Sequence, residues 1–267
     1  MIAVEIEDAG DPRIAAYRNV RDRDLARRDD LFIAEGKVVL RQLFESGRFE
    51  PVSVLVLENR LPGLVDVLTT APEGLPVYVA KPEVIDAIAG FHLHRGVLAL
   101  ARRREPETVS GLIAALPAKA LVLALVGISN HDNMGGIFRN AAAFGADAVI
   151  LDPTCCDPLY RKAIRVSVGG VLKVPYAVAT DWSSMADDLA AAGFRQFALT
   201  PGGTLGIADV EPGKRAALYL GTEGDGLPPE LIDRMEGVRI PIAGDFDSLN
   251  VAAASAIALH RLSGNVV

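Results

Sequence analysis

The chain has 267 residues, half of them apolar, with a formal net charge of −7. That is enough to bury a sizeable core as one large domain or two ordinary ones, and the acidic balance argues against a broad electrostatic grip on nucleic acid. No apolar run reaches the roughly 18 uncharged residues of a membrane span, the start Met1-Ile-Ala-Val-Glu-Ile-Glu-Asp8 has no basic stretch ahead of an apolar one, and the chain reads as cytoplasmic.

In chain order, Leu31–Ala34, Val52–Leu57, Val77–Val79 and Val97–Leu100 are apolar runs of strand length. A helical pattern between the first two puts Val38, Val39, Leu43 and Phe44 on one buried face. Arg18, Arg21, Arg23, Arg27 and Arg28 precede them, interleaved with Asp22, Asp24, Asp29 and Asp30, a pattern that suits a solvated helix face as well as an RNA contact. Arg102-Arg-Arg104 closes the last strand, and the polar break Glu105-Pro-Glu-Thr108 is read as a boundary between domains 1–105 and 106–267.

Beyond it, Leu121–Val126, Ala148–Leu151, Phe197–Leu199 and Ala217–Leu220 are near-continuous apolar strands, the mark of a parallel sheet covered on both faces. Helical stretches at about 134–144, 158–167 and 183–192 separate them, the second carrying Arg161, Lys162 and Arg165. The alanine-rich segment Leu249–Leu262 fits either core packing or a subunit interface. The adjacent Cys155 and Cys156 exclude a disulfide framework and a CxxC metal clip, and His92 and His94 lack the third ligand of a zinc site, so no metal is expected.

Three glycine-punctuated, polar-tipped segments follow strands, where open α/β sheets bind ligands. In the first, Asn133-Met-Gly-Gly-Ile-Phe-Arg139, Gly135 and Gly136 near a helix start would let free N–H groups meet an anion, and Arg139 would add a bidentate phosphate grip. The second, Leu220-Gly-Thr-Glu-Gly-Asp-Gly-Leu227, has no Lys after its glycines and is neither a P-loop nor a GxGxxG turn; Glu223 could meet a cationic or hydroxylated ligand. The third, Ile240–Asn250, ends on Asp247 or Ser248 as an expected helix N-cap, with Asn250 just inside the helix, where its amide both donates and accepts.

Together these segments resemble the three signature motifs of the SpoU-TrmH family of RNA ribose 2'-O-methyltransferases, in the SPOUT superfamily. Asn133, Gly135, Arg139, Phe144 and Gly145 match the first; Gly221, Glu223, Gly224, Gly226 and Leu227 the second; Ile240, Pro241, Ser248, Leu249, Asn250 and Val251 the third. Arg165-Val-Ser-Val-Gly169 looks like the family's intermediate segment. Phe32-Ile-Ala-Glu-Gly36 and His94–Ala99 look like its accessory domain, which resembles a small ribosomal protein. Departures are Asn130-His-Asp132 before the first motif, Thr222 in the second and Ala252 after the third.

The resemblance implies an RNA-binding α/β domain followed by a SPOUT-type parallel sheet with a carboxyl-terminal trefoil knot, an S-adenosylmethionine cofactor, and a homodimer. It makes Arg139, Asn133, Glu223, Ser248 and Asn250 the catalytic candidates. Thr200, Gly202, Leu220, Gly221, Gly224, Ile240, Ile242, Ser248 and Leu249 become cofactor contacts, and Arg18, Arg21, Arg102, Arg103 and Arg165 RNA contacts. Ribosomal RNA is the favoured target because a structured target rewards an extra shape-reading module; transfer RNA, and a non-catalytic RNA-binding or assembly protein of the same fold, stay open.

Overall fold

The computed structural model describes residues 2–18, 30–89, 96–244 and 247–264. Arg21, Arg23, Arg27, Arg28, His92, His94 and Asp245 lie outside them. The chain groups into two compact units, one of Met1–Glu105 with Leu159–Lys173 and one of Pro106–Pro158 with Val174–Val267. The second stretch of sequence is therefore interrupted: a piece expected within a continuous 106–267 domain groups with the first unit.

In the first unit β1 (Ile2–Ile6), β2 (Leu31–Glu35), α1 (Lys37–Ser46), β3 (Phe49–Leu57), α2 (Val65–Leu68), β4 (Pro76–Ala80), α3 (Pro82–Ala89) and β5 (Val97–Arg103) follow one another. They form a mixed sheet ordered β1-β4-β3-β5-β2, in which β1, β4 and β3 are parallel and β5 is antiparallel to both its neighbours. The buried stripe of α1 is Val39, Leu40 and Leu43, while Val38 is 54% exposed. At 3.6 residues per turn Val38 falls about 100° off that stripe, which corrects its expected burial.

The second unit is built from α4 (Val109–Ala115), β6 (Ala120–Leu125), α5 (His131–Phe144), β7 (Ala148–Leu151), and, after the interruption that carries α6 (Arg161–Val166) and α7 (Gly170–Lys173), from β8 (Tyr176–Val178), α8 (Trp182–Ala191), β9 (Arg195–Leu199), β10 (Leu205–Gly206), β11 (Arg215–Leu220), α9 (Pro229–Ile232), β12 (Glu236–Arg239) and α10 (Val251–Leu262). Its seven strands are all parallel, in the order β10-β12-β9-β11-β6-β7-β8. The interior strand β6 is buried at every position, which is why its sequence shows no polar alternation.

β12 inserts between β9 and β10, both formed earlier in the chain. The crossing is tight: a Cβ on Gly203 would come within 2.5 Å of the Val238 carbonyl carbon, so only glycine fits where the segment after β9 lies on β12. Within the first unit the interrupting segment is held by Arg161, whose Nη2 lies 3.1 Å from Oε2 of Glu35, a carboxylate only 7% exposed. A burial that deep favours a paired carboxylate over a lone one.

Candidate active site

Helix α5 starts where Asn130 caps it. Asn130 Oδ1 accepts from the Asp132 N–H at 2.8 Å and the Asn133 N–H at 3.4 Å, and Gly145 ends the helix at φ 71°. This start lies earlier than the expected one, so Gly135 and Gly136 are inside the helix and their N–H groups belong to its ladder rather than to an anion. Gly136 serves packing: a Cβ on it would come within 2.7 Å of the Ala252 Cβ on α10.

The N-cap of α10 is Asn250, not Asp247 or Ser248. Its Oδ1 accepts from the Ala252 and Ala253 N–H groups at 2.9 and 3.2 Å, while its Nδ2 donates to Asn133 Oδ1 and to Glu223 Oε1, both at 2.9 Å. With both ends of the amide engaged, its orientation is fixed, and it ties the three motif segments to one another. Asn133 is 6% exposed and accepts through its carbonyl, which leaves its NH2 group to donate; Glu223 keeps its second carboxylate oxygen as an acceptor. Asn140, two turns along α5, adds a second clamp, donating to Ala252 O at 2.7 Å and Ser255 Oγ at 2.9 Å.

Beside this hub a cavity of about 580 Å³ opens at the carboxyl ends of β9, β11 and β12. Leu220, Gly221, Ile240, Ile242 and Leu249 line it, as do Thr200, Gly224, Ser248, Glu223 and Asn250. Gly202 is exposed and outside the lining. The second motif closes on itself, Thr222 N–H donating to Gly226 O at 3.2 Å, and a Cβ on Gly221 would come within 2.5 Å of the Leu227 nitrogen. Arg139 stands on the exposed face of α5 and does not line the cavity.

Arg239, which sequence reasoning did not single out, lines the cavity and donates from Nη1 to Gly203 O at 2.9 Å. An arginine ahead of Ile-Pro at a strand end carries no distinguishing pattern; only the cavity marks it. Of the expected RNA contacts, Arg102 and Arg165 are exposed, Arg102 lying 3.7 Å from Glu50; Arg103 is partly buried. Arg18 donates to the Gly10 and Asp11 carbonyls. Burial pushes the Cys155 thiol up to about 12 and the Cys156 thiol to about 11, which favours the thiol over the reactive thiolate at neutral pH. Among the described residues no His, Cys, Asp and Glu group could hold a metal, and no helix is long and apolar enough to cross a membrane.

The family model described as the SpoU rRNA Methylase family matches residues 120–260. A protein of Mycobacterium bovis named as an uncharacterized tRNA/rRNA methyltransferase is 41% identical over 267 residues, spanning 96% of this chain and 90% of that protein. The 23S rRNA (guanosine-2'-O-)-methyltransferase RlmB of Xanthomonas campestris is 30% identical over 193 residues, 71% of this chain and 78% of RlmB. The fold matches the crystal structure of an AdoMet-bound rRNA methyltransferase from Sinorhizobium meliloti with a TM-score of 0.83 at 24% identity, covering 99% of both chains. With a match that spans more than half its length and includes all three motif segments, the chain belongs to the SpoU rRNA methylase family.

Proposed function

We propose that this protein is an S-adenosylmethionine-dependent RNA methyltransferase that methylates a ribose 2'-hydroxyl, in ribosomal RNA ahead of transfer RNA. The observation that carries the reading is the hub of Asn250, which bonds the buried Asn133 and, with Glu223, lines a cavity walled by the second and third motif segments. The residues present suit the cofactor: the volume is that of a small-molecule site, Leu220, Ile240 and Leu249 give apolar walls for a purine, and one acid and one base suit a zwitterion. When bound, the cofactor supplies an electrophilic methyl group on a sulfonium.

The chain's own residues supply position and charge. The Asn133 NH2 and the free oxygen of Glu223 offer a donor and an acceptor to a hydroxyl, and fixing that geometry is worth up to roughly 7–11 kcal/mol of barrier. Arg139, exposed on α5, grips the neighbouring phosphate; the planar donor fork of a guanidinium suits an anion ligand better than a base. The first unit, with Arg102 and Arg165 outward, binds the RNA. The insertion of β12 between β9 and β10 supports the carboxyl-terminal trefoil knot, and the exposed Leu249 and Ile257 beside small residues of α10 support a homodimer. The working compartment in this reading is the cytoplasm.

The test is incubation with methyl-labelled S-adenosylmethionine and separately purified hypomethylated ribosomal and transfer RNA, with the ribose methylation mapped. Label in ribosomal RNA that Arg139→Ala abolishes is the expected result. Label in transfer RNA alone reassigns the target; cofactor binding without label in any RNA favours the non-catalytic reading, and absence of cofactor binding overturns the proposal.

A further inference from the structure

The cavity carries two charges, and they stand apart. Glu223 follows β11 and Arg239 ends β12, with β9 between those strands, so two interstrand steps of about 4.8 Å separate the strand ends. The rest of the lining is apolar, small or neutral. A ligand seated there meets an acidic side next to the Asn250 hub and a cationic side next to Gly203.

Arg239 is prepared for a ligand. Its Nη1 is anchored on the Gly203 carbonyl, and Gly203 is fixed in turn by lying directly on the β12 backbone, where no Cβ fits. Among the described residues no acceptor takes its other N–H groups. A guanidinium whose fork is pre-oriented loses little freedom on binding and suits a planar carboxylate. Of the charges on S-adenosylmethionine the sulfonium and ammonium are cations, and the carboxylate of the amino-acid tail is the one anion.

We infer that Arg239 holds the carboxylate of the ligand's amino-acid tail and so makes the cavity select an adenosyl amino acid over the bare adenosyl thioether. This rests on the cavity being the S-adenosylmethionine site. Both Arg239 and Arg139 are exposed, but only Arg239 lines the cavity, which favours a small ligand's anion over an RNA phosphate for Arg239.

Isothermal titration with S-adenosylhomocysteine and with 5'-methylthioadenosine, which shares the adenosyl thioether but lacks the amino-acid tail, tests it without turnover. Arg239→Gln is expected to weaken S-adenosylhomocysteine about tenfold or more, the scale of a charge-assisted hydrogen bond, and to leave 5'-methylthioadenosine within about twofold. Arg239→Lys should recover part of the loss. Equal losses for both ligands would assign Arg239 to holding the cavity wall and overturn the inference, as would no loss for either. The wild-type protein guards against a misfolded variant: the methyl ester of S-adenosylhomocysteine should bind about tenfold more weakly than the free acid, and equal binding overturns the inference. A wild type that binds neither adenosyl ligand removes the reading of the cavity itself.

Discussion

Asn250 does two jobs that different substitutions separate. Its Oδ1 caps α10 and its Nδ2 links Asn133 to Glu223. Asn250→Asp keeps the capping acceptor but loses both donors and sets a carboxylate against Glu223, so methyl transfer should collapse while the melting temperature falls little. Asn250→Ala loses the cap as well and should cost about 1 kcal/mol more stability. Thermal denaturation beside single-turnover methylation distinguishes them; equal activity in Asn250→Asp and wild type would remove the hub from the mechanism. The sequence made Asn250 conspicuous but put it one step inside the helix, because the cap is defined by its extended backbone and by the bonds its side chain makes, neither of which composition reveals.

At the scale of elements, α5 and α10 meet through small and polar side chains. Gly136 lets Ala252 approach, Asn140 bonds Ala252 O and Ser255 Oγ, and Asn133 meets Asn250, so one face of α5 fixes the first turn of α10. Gly136→Ala forces a Cβ to 2.7 Å from another and should destabilise the protein by about 1–3 kcal/mol, as overpacking does. Ala252→Gly in the same chain removes the obstructing atom, and denaturant titration should show part of that loss recovered. No recovery would place the strain elsewhere. The apolar strands β6, β7, β9 and β11 were legible because burial on both faces imposes a continuous apolar run. The strands β8, β10 and β12 were not. They are two to four residues long, and β12 reads Glu-Gly-Val-Arg, so pairing with neighbours rather than local propensity makes them strands.

For the whole molecule, a net charge of −7 must be reconciled with an RNA substrate. In the proposed reading a few outward arginines of the first unit meet phosphates while the remaining surface repels them, so affinity should be modest and its salt dependence shallow. Arg102→Glu combined with Arg165→Glu should weaken RNA binding and reduce the slope of log affinity against log salt by about 0.7–0.9 per lost phosphate contact. An unchanged slope, measured by filter binding across a salt series, would move the RNA surface away from these residues.

The sequence by itself determined the motif residues, their order, and the parallel character of the central sheet, because short-range chemistry and burial on both faces are written in residue types and runs. It also led to the family and to most of the cavity lining, through motif segments whose glycines and prolines are local requirements. Only the tertiary structure decided that Gly136 serves packing, that residues 159–173 group with the first unit, and that Arg239 joins the cavity. Each of those depends on contacts between segments far apart in the chain, where β12 slots between β9 and β10 and α10 lies on α5, and such contacts leave no periodicity in either segment alone.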